Sequence, residues 1–217
     1  MNEVASNGLA LARAIPSEHD QAVVSLARQI VDQRGLVVRA REGDHDAFTA
    51  LVDLTVARLD SAARLILRDP ELARDAVQET FIRAWRDLPG LRDPDRFDAW
   101  LHRIAANTCL ELARRRRRRV IEVEIEPLTM ASDVDVAGSV ADRELLDRAL
   151  RRLSPEHRAV IVLHYFLGMP MPAVATALAI PLGTAQSRLH YALVGMRSSV
   201  FGEPVRVTAP VPGGTPA

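Results

Sequence analysis

The side chains best placed to do chemistry lie on one face of one predicted helix. From Leu182 onward, Ala185, Leu189, Ala192 and Met196 recur at steps of four, three and four, and so pack inward. At about 100° per residue, Gln186, Ser187, His190 and Val194 then share the opposite face, with Tyr191 at its edge. These side chains donate and accept hydrogen bonds rather than attack. An amide such as Gln186 suits an adenine edge, Ser187 suits a base or a phosphate, and Arg188 suits the backbone. A short predicted helix over 172–179 and a turn at Ile180-Pro181 complete a helix-turn-helix pattern, whose second helix can enter a DNA major groove. A helical hairpin with a polar outer face would show the same pattern. Bond-breaking chemistry is not in view. There is no Ser/His/Asp set, no histidine–cysteine cluster and no Gly-rich phosphate loop, and the six histidines are scattered. The lone Cys109 excludes an intramolecular disulfide framework and a multi-cysteine zinc site, and fits a reducing cytosol. The expectation is a non-enzyme with no catalytic residue, no metal and no cofactor, located in the cytoplasm.

The positioning elements follow from 217 residues of ordinary globular balance, 48% hydrophobic and 26% charged, with 28 basic and 28 acidic side chains. The net charge of +0 conceals blocks. Residues 100–119 hold seven Arg against Glu111 alone, and residues 120–142 hold six acids and no base. Such a layout suits partners of both signs. Helical spacing dominates from 32 to 119. Asp44 can cap a helix through Phe48, Leu51, Val52, Leu59 and Leu65, and Asp69-Pro70-Glu71 opens another. That helix buries Leu72, Ala76, Val77, Phe81, Ala84, Trp85 and Leu88. After the loop Pro89–Pro94, a third carries Phe97, Trp100, Leu101, Ile104, Ala105 and Leu112 and ends in Arg114–Arg119. Trp85 and Trp100 keep apolar spacing and are assigned to the core.

Val120–Glu126 alternates like a strand but has nothing to pair with, and is read as acidic linker. Helical pattern returns at Leu145, and Ser154-Pro155-Glu156 caps a further helix that Gly168 stops. The apolar stretch 159–183 is no membrane span, because Pro170 and Pro172 split it and His164 interrupts it. The expected architecture is all-α: an N-terminal extension over 1–31, partly disordered; a helical domain over 32–119; a flexible acidic linker over 120–139; a helix-turn-helix domain over 140–199; and a disordered tail over 200–217.

Two further stretches carry a resemblance. Asp69–Trp85 (DPELARDAVQETFIRAW) with Arg96–Asn107 (RFDAWLHRIAAN) resembles the second conserved region of bacterial sigma factors. Leu153–Arg158 (LSPEHR) with Gly183–His190 (GTAQSRLH) resembles the fourth. Two independent motifs in the right order, over about residues 32–199, make the chain similar to an extracytoplasmic-function (ECF) sigma factor of bacterial RNA polymerase. The resemblance implies that the first domain meets core polymerase and the −10 promoter element, and the second the −35 element.

It also implies roles by position. Asp75, Gln78 and Glu79 match the surface that docks on the polymerase clamp helices, and they lie at i, i+3 and i+4 off the apolar face. Leu91, Arg92, Arg96, Arg103 and Asn107 match the −10 side, where an amide can bond a base taken out of the stack. Thr184, Gln186, Ser187, Arg188, His190 and Tyr191 match the −35 reader. Leu91 stands where many relatives place an aromatic residue, and Gln186 where Arg or Lys is usual. Met169-Pro170-Met171-Pro172 lacks the usual Ser or Thr cap. In relatives the acidic linker threads basic polymerase channels; a soluble spacer is the plainer reading. The expected partners are core RNA polymerase, promoter DNA and an anti-sigma factor. A stand-alone helix-turn-helix regulator and a helical scaffold remain the alternatives.

Overall fold

The computed structural model describes residues 33–123 and 140–201, which leaves out the N-terminal extension, most of the expected linker and the expected tail beyond Phe201. Among the described residues every regular element is helical. The first bundle comprises α1 (33–41), α2 (His45–Leu67), α3 (Pro70–Asp87) and α4 (Phe97–Val123). Short 3₁₀ turns at Leu88–Gly90 and Pro94–Arg96 link α3 to α4. The second comprises α5 (Val140–Arg151), α6 (Pro155–Ile161) prolonged by a π turn (Val162–Phe166), α7 (Met171–Ala177) and α8 (Leu182–Phe201).

Local chemistry sets the helix ends. Gly43, at φ 95°, takes a left-handed conformation that favours glycine, and the amides of Gly43 and Asp44 return to Ala40 and Arg39 carbonyls. The Asp44 carboxylate then accepts from the Ala47 amide and opens α2. Its bonds to that amide and to Arg39 hold it below the usual carboxylate range. Asp69 accepts from the Glu71 and Leu72 amides, and Ser154 from the His157 amide, each followed by proline at the first helical position. Gly168, at φ 70°, ends the π turn as expected, and His164 Nδ1 donates to the Met169 carbonyl at 2.8 Å.

The first core is built on Leu51, Leu59 and Ile66 of α2, the small face Ala73, Ala76 and Ala84 of α3, and Phe97 and Leu101 of α4. Trp100 is partly buried against it, and Trp85 is half-buried with its ring 4.9 Å from Phe48 and 4.5 Å from His45. The second core joins Leu150, Val160, Leu163, Val174, Ala185 and Ala192. The two are continuous, because α6, the π turn and α7 pack on α2 and α4.

Two boundaries differ from expectation. The helix α4 runs to Val123, into the stretch read as linker, and α8 runs to Phe201. An established helix gains one hydrogen bond per added residue, whereas an alternating segment needs a partner strand. No helix among the described residues is long and apolar enough to cross a membrane.

His102 on α4 is buried, and its titration tests the packing. Burial lowers its pKa from 6.5 to about 4, with Arg58 assisting and Asp98 opposing. Above pH 6.5 the group is neutral folded or unfolded and contributes no pH dependence. Between pH 6.5 and 4 the unfolded chain takes a proton that the folded chain refuses, so stability falls on acidification. The expected slope from this group is about 1.4 kcal/mol per pH unit. Denaturant titrations at pH 7 and pH 5 should show a loss that is shallower by about that slope in His102→Gln. Equal slopes in the two proteins would mean that His102 titrates normally.

Candidate nucleic-acid interface

The helix α8 presents its predicted polar face to solvent. Ala185 and Ala192 are fully buried, and Leu189 and Met196 are packed partly beneath, as the spacing predicts. Gln186, Ser187 and His190 are exposed; Thr184, Arg188 and Tyr191, half-buried, flank them. The Ser187 hydroxyl donates to the Thr184 carbonyl at 3.1 Å, and the His190 ring meets Tyr191 edge-on at 5.6 Å. Val194, expected on the same outer face, is half-buried. Glu156, at the start of α6, lies in the field of Arg188 and Arg117. Burial works to raise its pKa, but hydrogen bonds at the helix start and the two cations carry it below the ordinary value. Burial, assisted by the same Arg188, lowers His157.

On α3, Asp75 and Gln78 lie off the buried face, and Ile82 extends the stripe they define with 55% of its surface accessible. Its signal in the sequence is an apolar residue at i+4 from Gln78, off the buried face. Glu79 lies on the same stripe but is engaged within the fold. Its carboxylate accepts from Arg83 Nε at 2.7 Å, and Arg83 also reaches Glu111 of α4 at 2.9 Å. The Glu79 hydrogen bond, opposed by slight burial and aided by Glu111, raises the Arg83 pKa. Arg83 in turn holds Glu111 below the ordinary value.

The remaining candidates are distributed along the α3–α4 connection. Arg92, Arg96 and Arg103 are exposed, with Arg96 3.4 Å from Asp93. Arg103 and Asn107 lie four residues apart on one face of α4. Leu91 is a correction: it is only 7% exposed, and its side chain belongs to the core rather than to a surface that could receive a base. The turn Leu88–Gly90 directs it inward, where its burial is favourable. Asn107 is half-buried, and its Nδ2 donates to the Ala177 carbonyl of α7 at 3.0 Å. The sequence places these groups in separate domains; the structure joins them. The arginine run is partly consumed by the fold. Arg114 bonds the Leu110 carbonyl, Arg115 pairs with Glu111 and Arg116 pairs with the α3 cap Asp69, while Arg117, Arg118 and Arg119 extend beyond them toward the end of the helix.

Cys109 is buried, and its thiol is pushed up to about 12, which makes it inert at neutral pH. No group of His, Cys, Asp or Glu among the described residues is arranged to hold a metal ion.

Comparison with known proteins matches both bundles. A family model for sigma-70 region 2 covers residues 51–119, and one for sigma-70 region 4 covers residues 143–194. The chain is 37% identical over 151 residues to the ECF RNA polymerase sigma factor SigL of Mycobacterium tuberculosis, covering 68% of this chain and 85% of that one. It is 28% identical over 176 residues to the ECF RNA polymerase sigma factor SigW of Bacillus subtilis, covering 76% and 94%. Among solved structures, CnrH in complex with the cytosolic domain of CnrY superposes with a TM-score of 0.58 at 29% identity, covering 80% of this chain and 99% of that one. The sigma factor RpoE in complex with the anti-sigma factor NepR from Bartonella quintana shares the fold with a TM-score of 0.62 at 24% identity, covering 70% and 96%.

Proposed function

Because this chain belongs to the ECF group of the sigma-70 family, we propose that its two bundles divide promoter recognition between them. The protein is an RNA polymerase sigma factor: it binds core polymerase and directs promoter recognition and transcription initiation. The supporting observation is a pair of outward-facing polar surfaces on different bundles, one on α3–α4 and one on α8. In this reading residues 32–119 form the polymerase and −10 domain, residues 140–199 the −35 domain, and the acidic segment between them a tether. The chain contributes binding, and the polymerase, in the cytoplasm, contributes the chemistry.

Asp75, Gln78 and Ile82 form the polymerase contact, with Glu79 at its edge. An apolar side chain ringed by polar ones suits a docking surface. Arg92, Arg96 and Arg103 hold −10 phosphates, and Asn107 bonds a base that has left the stack. Gln186 and His190 read −35 base edges, while Ser187, Thr184, Arg188 and Tyr191 position the helix. An anti-sigma protein that covers the α3 stripe would hold the factor inactive, and pull-downs under several growth conditions that recover only polymerase would count against it.

The direct test of function is transcription in vitro with core polymerase and a promoter library. Initiation at a defined promoter class should depend on adding this chain. A chain that shifts duplex DNA alone, yet leaves initiation unchanged, would instead be a free-standing regulator.

A further inference from the structure

Four charged side chains, alternating in sign, form an unbroken series from the α3 stripe to the arginine run of α4. Glu79 Oε1 accepts from Arg83 Nε at 2.7 Å, and Arg83 Nη2 meets Glu111 Oε2 at 2.9 Å. The other carboxylate oxygen, Glu111 Oε1, accepts from Arg115. The outer two links each join residues four apart on one helix, and the middle link ties α3 to α4. The side chains of Arg83 and Glu111 are 26% and 34% accessible, against 42% for Glu79 and 58% for Arg115. The series is open to partners at its ends and more enclosed in its middle.

Each inner group has one charge and two partners. Arg83 divides its positive charge between Glu79 and Glu111, and Glu111 divides its negative charge between Arg83 and Arg115. The bond from Arg83 is the largest influence holding Glu111 below the ordinary carboxylate value, ahead of Arg115 and against slight burial. Arg115 therefore has the weaker hold on Glu111. A cation that competes for Glu79 turns Arg83 toward Glu111, and Glu111 so satisfied loosens Arg115. Neighbouring arginines stand outside this series: Arg116 pairs with the α3 cap Asp69, and Arg114 bonds the Leu110 carbonyl.

We infer that Arg115 is a DNA-phosphate site released when Glu79 is occupied, with Arg83 and Glu111 as the positioning residues that carry the effect. Its planar guanidinium suits the bidentate recognition of phosphate oxygens. That polymerase supplies the competing cation rests on the function proposed above; the series itself rests only on the ion pairs. The coupling is reciprocal: a phosphate on Arg115 leaves Glu111 to Arg83, and Glu79 to its partner.

The test measures binding of the free full chain to a random-sequence DNA duplex of about 20 base pairs across a range of salt concentrations. Glu79→Gln should tighten binding about threefold at low salt and steepen the salt slope by about 0.9, the value of one phosphate. Glu111→Gln should do the same by releasing Arg115 directly. Neither should act in an Arg115→Gln background. In an Arg83→Met background Glu79→Gln should lose its effect, because the link is cut, while Glu111→Gln should keep its own. A merely structural role for Arg83 would lower the melting temperature and leave these differences in slope unmoved. Arg115 is exposed, so Arg115→Gln cuts the series at its far end without touching the packing of α3 on α4. No gain in Glu79→Gln, or a gain that survives Arg83→Met or Arg115→Gln, would overturn the inference by reducing it to a general charge effect. The polymerase part is read in the holoenzyme, on a promoter duplex recovered from the library above. There Arg115→Gln should flatten the slope by about 0.9, and Glu111→Gln should leave it unchanged, because docking has already released Arg115. A holoenzyme slope that Glu111→Gln steepens, as in the free chain, would show that docking does not act through Glu79. A chain that fails to bind core polymerase would sink the proposed function, while the free-chain measurements alone would still decide the series.

Discussion

A variant carrying Asp75→Arg with Gln78→Ala is expected to lose retention on core polymerase while melting at the parent temperature. Both residues lie off the buried face of α3, one turn apart, with Ile82 completing the stripe. If the opposing surface is basic, as acids and an amide imply, the new cation adds repulsion to the missing hydrogen bonds. The combined cost is about 3 kcal/mol, or roughly a hundredfold in affinity. The choice of Asp75 over Glu79 follows from the ion pairs. Glu79 holds Arg83, which bridges to Glu111 on α4, so Glu79→Arg would disturb the α3–α4 packing as well as the surface. Asp75→Arg instead gains acidic neighbours at i−4 and i+4, Glu71 and Glu79, and should not destabilise α3. Co-purification and a thermal melt on the same preparation decide it. Unchanged retention would move the docking surface off this stripe.

The features of α3 and its neighbours that could be read in the sequence are the local ones. Asp69 caps α3 because its side chain needs only the amides two and three residues on, and the amide three residues on likewise suffices for Asp44 and Ser154. The helix-turn-helix was legible for the same reason: Ala185 and Ala192 are spaced to meet one surface whatever that surface is. Properties that depend on distant partners were not. Leu91 sits in a loop by every local signal, and only its packing partners make it core. Arg158 carries a charge that usually stays in water, and its burial makes sense only once the ends of α2 and α5 converge on it. Asn107 finds its carbonyl 70 residues away. The surfaces proposed for the −10 and −35 elements read as separate in the sequence because nothing within either bundle records how the two meet.

That junction sharpens the comparison of Gln186→Ala with Asn107→Ala. Gln186 is exposed on α8 in the described arrangement, so its removal should change reading and leave the packing alone. Without the two hydrogen bonds of a bidentate amide, binding should weaken by about 1–3 kcal/mol at one −35 position, and preference at that base should relax. Asn107→Ala should leave duplex −35 binding intact and impair strand opening and −10 preference, because its proposed partner is an unpaired base. It also removes the bond to Ala177, so the contact of α4 with α7 loosens as well. A mere structural role for Asn107 would predict equal losses on every promoter. Randomised-promoter transcription with excess core polymerase separates these cases, since excess core removes any difference in docking. Changes confined to −35 positions for Gln186→Ala and to −10 positions for Asn107→Ala are the expected result. If both variants shift the same positions, or neither shifts any, the division of labour between the two bundles is wrong.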